Sequence, residues 1–575
     1  MIGSRQKIPW DFLRLAILMV TICTFLYCAY KVAPSGGPED KTPPEIIRYF
    51  PPKDSVGITS LSYIEIEFSE TIRQTTLLAN YWISPKLESD LEVKWKGSKK
   101  VRFYLKDSLE KNQTYLFTLG TEIKDMRNNG LVSPFQIAFS SGNKLDSGSI
   151  SGQVHAQGLQ SGVYIYAYLL SSPVDEDSLI YERPRYYTQI DMNGLFSLNY
   201  LQMGMYRLIA LLDGDYNGVY TVEADEIGLP FSDIRLDSLH PEFRNLNFYL
   251  IQEDTTGPRI AGLDTFPNRE IQIEFTEDIL IDTNFRIELF DSSRNQNIQL
   301  LGYSYDSQLP SFLHCFLASY SGIPELTIRL SGLTDLAGNS PRSLSLSRNF
   351  FAPASQDTSL PQYLSSVPSH LSRDIPSRTP ITINLDSPVD SSLFKQHFLL
   401  QDTLGQVFTG QFDFQDYRKP TFKPLQLYES ATTYEILLNL KEIRDIWQRN
   451  FPDTLLTIRF SSQNAGDVGE IKGQVFAEDL NWQQAIIEAE PLRGREVFQN
   501  LVQKGKAYQF EYLPDGLYLM KAILDVNNNQ KWDKGQTNPW IFAEPFFFRP
   551  DTVKVRKRWT TEGIDFNFQF RGTCE

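Results

Sequence analysis

Cysteine and histidine are scarce in this sequence, with 4 and 5 occurrences among 575 residues. Cys23 and Cys28 fall in an apolar N-terminal stretch, which leaves Cys315 and Cys574 about 260 residues apart. A disulfide framework needs more cysteines at closer spacing, so packed cores must hold the fold. Cys315, within Phe312-Leu313-His314-Cys315-Phe316, reads as a buried small hydrophobe, and Cys574 as a fraying terminal residue. His155, His240, His314, His370 and His397 are scattered, and no His-x-x-x-His or Cys-x-x-Cys is present to hold zinc. Also missing are a Gly-x-Ser-x-Gly nucleophile elbow and a Gly-x-x-x-x-Gly-Lys phosphate loop. These absences argue against an enzyme and leave a hydrolase built from distant residues as the remotest reading. Positive charge is deficient as well. A net charge of −15 opposes binding to nucleic acid, whose phosphates demand a basic surface.

What is present points to strands. Hydrophobic residues make up 41% and charged ones 22%, ordinary values that exclude a disordered chain. The 38 Phe and 28 Tyr, with many Ile-x-Ile and Phe-x-Phe alternations, favour β-structure over helix. The length is too great for one core and predicts roughly four to six domains of about 100–150 residues.

The N-terminus has a different character. Arg5, Lys7 and Arg14 precede a 13-residue apolar run from Leu15 to Tyr27. That run is short for a spanning helix of ~20 residues but suits a secretory signal. A cysteine closing it, Cys28, marks residues 1–28 as a signal peptide whose cysteine becomes lipidated, as in bacterial lipoproteins. Tyr27 is bulky where such boxes carry a small residue, which keeps an uncleaved anchor helix as the alternative. Either way the chain meets a membrane through an N-terminal lipid or helix, and its remainder lies in the cell envelope. An outer-membrane or surface lipoprotein is the favoured form. Residues 29–44, with Pro34, Gly36, Gly37, Pro38, Pro43 and Pro44, read as a tether.

Behind the tether two units repeat. The first opens on Ile64-Glu65-Ile66-Glu67-Phe68-Ser69-Glu70, then Ile271-Gln272-Ile273-Glu274-Phe275-Thr276-Glu277, then Ile381-Thr382-Ile383-Asn384-Leu385-Asp386. Alternation of period two gives each strand one buried face. A second landmark follows at nearly constant distance: Asp125 lies 58 residues after Glu67, Asp335 61 after Glu274, and Asp445 61 after Asn384. With Thr114 to Leu119 and Thr433 to Leu438 between them, these motifs resemble the bacterial Ig-like domain of the S-layer (SbsA) type, a sandwich of about 100 residues. The tether from Cys28 through Ser35-Gly36-Gly37-Pro38-Glu39-Asp40 resembles that of Bacteroidota envelope lipoproteins beginning with such a domain. The second unit pairs Ile150-Ser151-Gly152-Gln153-Val154 with Ile471-Lys472-Gly473-Gln474-Val475, and Gly204-Met205-Tyr206 with Gly516-Leu517-Tyr518. It resembles the non-catalytic carboxypeptidase-regulatory-like, or transthyretin-like, sandwich. The expectation is an all-β tandem array of antiparallel β-sandwiches: Ig-like at 45–141, transthyretin-like at 148–251, Ig-like at 257–352 and 360–462, and transthyretin-like at 467–570.

Chemistry is best sought in an acidic loop of each transthyretin-like unit. In the last, Asp525, Asn527, Asn529 and Asp533 fall at positions 1, 3, 5 and 9 of an EF-hand-type Ca²⁺ loop, with the Lys531 carbonyl at 7. In the other, Asp213, Asp215 and Asn217 begin the same pattern. Position 12 is Gln536 or Ala224, so a site here predicts millimolar affinity. The competing reading is a turn whose side chains bond their own backbone. Glu67/Glu70 and Glu274/Glu277, three apart on a strand, face opposite ways and do not form catalytic pairs. Trp532, Trp540 and Trp559 suit packing, or stacking on sugars in the alternative reading. The chain therefore reads as an envelope-anchored structural or protein-binding module without catalysis. A glycan- or surface-binding accessory protein is the alternative.

Overall fold

The computed structural model describes residues 40–574 apart from 86, 159–161, 171–175, 292–293, 306–309, 319–324, 344, 353–358, 453–454, 479, 495–496 and 571–572. The predicted signal run, Cys28 and most of the tether lie outside the described residues. Among those described, no helix is long and apolar enough to cross a membrane.

Among the described residues, beside an extra two-stranded sheet of Gln536–Thr537 and Trp540–Ile541, five pairs of sheets follow one another. In the first, Ile46–Phe50, Tyr63–Phe68, Lys100–Tyr104 and Glu92–Trp95 form one sheet, and Tyr81–Ser84, Thr114–Leu119 and Phe135–Ser140 the other. The alternation read from sequence sets the core. Ile64, Ile66 and Phe68 are buried on one face, while Glu65 and Glu67 on the other pair with Lys100. The third and fourth sandwiches repeat this plan around Glu270–Phe275 and Ile381–Leu385. In the first and fourth sandwiches a buried tyrosine ties the strand Thr114–Leu119 or Thr433–Asn439 to the loop before it. Glu110 N donates to the Tyr115 hydroxyl at 2.9 Å, and Glu429 N to that of Tyr434 at 2.7 Å.

The sheets are not purely antiparallel: Ser372–Ile375 runs parallel to Leu455–Ser462 in the fourth sandwich, and the second and fifth depart furthest from that plan. Glu242–Tyr249 runs parallel to Gly148–His155, and Phe566–Asn567 runs parallel to Val468–Phe476. A closing strand that arrives by a long connection, not by a hairpin, is free to enter parallel. The repeated glycine sits at this crossing. A Cβ on Gly152 would lie 1.7 Å from the Leu246 carbonyl oxygen, and one on Gly473 2.0 Å from that of Ile564, so only glycine fits.

The five sandwiches do not stand in an open row. The second and fifth share one continuous core, in which Phe570 stacks against Phe243 and packs on Phe231. Asn245 Nδ2 donates to the Gln569 carbonyl, and Glu253 accepts from the Thr537 amide and hydroxyl. Thr573–Cys574 pairs with Ile234–Leu236 of the second sandwich, so Cys574 is held in a sheet by its backbone instead of fraying. Aromatic side chains on the outer strands drive this return, since a lone sandwich would leave them in water. The intervening third and fourth sandwiches are also locked together. Glu270, 4% exposed, accepts from Arg418 across the junction at 3.0 Å and bonds the His314 ring at 2.6 Å.

Candidate cation-binding loops

Both acidic loops begin where a long strand ends. Asp213 directly follows Gly204–Leu212, and Asp525 is the last residue of Gly516–Asp525. The two loops then take the same backbone course. Tyr216 and Asn528 both have φ +59°, and Gly218 and Gln530 have φ +79° and +63°. This left-handed step is natural for Gly218 and strained for Gln530.

In the first loop Asp213 Oδ1 accepts from Asn217 N at 3.2 Å and Oδ2 from Gly218 N at 2.9 Å. Asp215 Oδ2 accepts from Asn217 Nδ2 at 2.8 Å. The residue that closes the loop is Asp225, 1% exposed, whose carboxylate accepts from Gly214 N at 2.8 Å and Thr221 N at 2.7 Å. Asp213, Asp215 and Asp225 each bring a carboxylate oxygen within 4.8 Å of the others. Burial, with Asp215 and Asp225 adding, raises the Asp213 carboxyl above its ordinary range. Three converging carboxylates fit a hard divalent ion.

In the second loop Asp525, fully buried, accepts from Asn529 N at 3.0 Å, Gln530 N at 2.9 Å and Gln484 Nε2 at 2.8 Å. Asn527 Nδ2 and Asn529 Nδ2 both donate to Asp533 Oδ2, at 2.6 and 2.7 Å, and Lys531 N donates to Asn529 Oδ1 at 2.7 Å. An acid the linear motif lacks comes from beyond the loop. Glu544, 5% exposed, accepts from Val526 N at 2.7 Å and Asp533 N at 3.1 Å. Burial, then Asp533 and Asp525, pushes its carboxyl up to about 7. In the sequence Asp225 stands only as an acid beside position 12, next to Ala224, and Glu544 falls outside the pattern altogether, at position 20 of a motif that ends at 12. In both loops the side chains bond one another and the backbone, as the turn reading expects.

A second kind of acidic cluster lies at the entry to the Ig-like units. In the third sandwich Asp254, Glu277 and Asp335 bring oxygens within 4.8 Å of one another. Burial, with Asp254 and Asp335 adding, pushes Glu277 up to about 7. The first sandwich places Glu70 beside Asp125 and Asp40 and raises it for the same reasons. Each buried aspartate organises a turn: Asn129 and Asn339 donate to Asp125 and Asp335 and also to the carbonyls of Asp40 and Asp254. In the fourth sandwich Ser387 replaces the glutamate and Arg449 the asparagine. The guanidinium donates to Asp445 Oδ2 at 2.7 Å, to Ser387 Oγ at 3.1 Å and to the Ser359 carbonyl at 3.0 Å.

The tryptophans offered as sugar platforms are placed differently. Trp532 packs against Tyr249, Phe546 and Phe548, and Trp540 lies under Arg207 at 4.4 Å, so both serve the junction between the second and fifth sandwiches. Trp559 is 69% exposed.

Residues 40–141 and 357–462 match the family model of the bacterial Ig-like domain, so the chain contains bacterial Ig-like domains in its first and fourth sandwiches. No curated protein matches the chain. Among solved structures, the chain is similar to an L,D-transpeptidase in complex with imipenem, with 12% identity over 28% of this chain and 81% of that one at a TM-score of 0.16. The N-terminal part of the bacterial S-layer protein SbsC gives 11% over 35% and 44% at a TM-score of 0.14, so this chain spans less than half of that one. Alpha-2-macroglobulin from Escherichia coli, in the portion MG0-NIE-MG1, gives 12% over 51% and 97% at a TM-score of 0.14.

Proposed function

We propose that this chain is a non-catalytic lipoprotein of the bacterial cell envelope, anchored through Cys28, whose five sandwiches form a rigid binding scaffold. The third sandwich is a further Ig-like domain, and the second and fifth are transthyretin-like modules. The observation that carries the scaffold reading is the shared core of the second and fifth sandwiches, which turns a string of domains into a closed body. Such a body holds its surfaces in fixed relation, which suits a partner that contacts several domains at once. The buried link from Glu270 to Arg418 supports the same reading. Ca²⁺ belongs to this account as a structural ion of the first acidic loop, where Asp213, Asp215 and Asp225 would hold it.

Labelled palmitate tests the anchor. Incorporation into the wild type but not into Cys28→Ser is the expected outcome, and a mature protein that keeps Met1 overturns it. A pull-down of the tagged, membrane-localised wild type identifies the envelope partner. Loss of that capture when Trp532→Ala opens the closed body is expected if rigidity matters.

A further inference from the structure

A cleft of about 1070 Å³ runs between the first and second sandwiches. It is slightly larger than the ~300–1,000 Å³ typical of small-ligand pockets. One wall is aromatic. Trp82 stacks on Tyr187 with ring centroids 5.0 Å apart and meets Tyr164 edge-on at 5.8 Å, while Tyr166 lies 5.9 Å from Tyr187. Tyr216, on the first acidic loop, adds a ring that is 90% exposed.

The polar groups are set out for a neutral guest. The lining carries Lys124, Arg183 and Arg185 as well as Asp90, Glu122 and Asp213, a formal balance in a chain whose net charge is −15. Gln189, 1% exposed, lines the same cleft. Its Oε1 accepts from the Thr121 amide and hydroxyl, while its Nε2 donor has no partner among the described residues. That donor is itself closed to solvent, so it shapes the floor of the cleft without presenting a hydrogen bond to it. An extended peptide would need a free strand edge. The strand Tyr186–Gln189 is such an edge, but its Tyr187 carbonyl already accepts from the Trp82 indole at 3.2 Å. A negatively or positively charged polymer finds no field of opposite sign.

We propose that this cleft binds a neutral oligosaccharide. The sugar's C–H faces lie on Tyr216 and on the half-buried Tyr164 and Tyr187, and its hydroxyls bond Arg183 and the tyrosine hydroxyls. This deepens the glycan-binding alternative and rests on it alone, since the cleft is complete with or without a lipid on Cys28.

The test is calorimetry on the purified full-length chain in detergent with maltohexaose, cellohexaose, mannohexaose and chitohexaose, each with and without Ca²⁺. Saturable binding of at least one sugar is expected. Tyr216→Ala and Arg183→Ala, both exposed and so harmless to folding, should each weaken it about tenfold. Trp559→Ala, exposed and outside the cleft, should leave it unchanged. No saturable binding with any of these sugars, for a protein with a normal melting curve, overturns the proposal. So does binding that survives both cleft substitutions or falls equally in Trp559→Ala. Failure here leaves the palmitate result standing, so the two readings fall separately.

Discussion

Trp532 of the fifth sandwich stands edge-on to Tyr249 of the second, with ring centroids 4.9 Å apart and planes at 68°. Lys534 lies over the Tyr249 ring at 4.6 Å and over Trp532 at 5.1 Å, and His155 meets Phe548 at 4.8 Å. Residues 283 (Tyr249 and Trp532) and 393 (His155 and Phe548) apart in sequence therefore form one aromatic joint. Such contacts each add about 0.5–1.5 kcal/mol beyond burial.

That joint predicts a change of shape on mutation. Trp532→Ala combined with Phe570→Ala should part the second and fifth sandwiches. The radius of gyration from X-ray scattering should rise, and a single melting transition should split in two. An unchanged scattering curve would count against the closed body.

Glu277 predicts a pH dependence. Its carboxyl is pushed up to about 7 in the fold, against about 4.3 for a free glutamate. A raised folded value favours the protonated form, so its stabilising effect is full below about pH 4.3 and is lost as pH rises through about 7. Wild type should lose stability over that window relative to Glu277→Gln, and urea midpoints at successive pH values check this. Parallel curves for the two proteins would remove Glu277 from the account.

Arg449 predicts a local cost. Asp445 is fully buried and Arg449 holds it at 2.7 Å. Arg449→Ala leaves a buried carboxylate without its cation and should destabilise the fourth sandwich by about 3 kcal/mol. Arg449→Asn should recover part of that, because Asn129 and Asn339 fill the corresponding place in the first and third sandwiches. Urea unfolding followed by Trp447 fluorescence reads both.

The acidic loop of the second sandwich predicts a calcium response at millimolar concentration. Calorimetry should show heat for the wild type and none for Asp215→Asn. Asp215 is exposed, so this variant should melt as the wild type does without calcium. Asp225→Asn is the harsher change, because that buried carboxylate also holds the Gly214 and Thr221 amides. Equal heats for wild type and Asp215→Asn would exclude the loop as a site.

Local order was legible in the chain itself. The period-two alternation at Ile64, Ile66 and Phe68 dictated which face is buried, because a strand sends successive side chains to opposite sides. The repeated Gly152 and Gly473 marked the strand crossings, and the spacing to Asp125, Asp335 and Asp445 marked the repeated turn. Asp213 and Asp525 begin their loops where a long strand ends, which is also a local matter. What the tertiary structure decided was everything that depends on distant segments meeting. Asp225 and Glu544 became loop acids through folding beyond the motif. Trp532 and Trp540 became junction residues because the fifth sandwich returns to the second. The cleft exists because Trp82 of one domain lies on Tyr187 of the next. Periodicity acts within a strand, where sequence neighbours are spatial neighbours. Burial between domains depends on which apolar surfaces find each other, and no local pattern carries that.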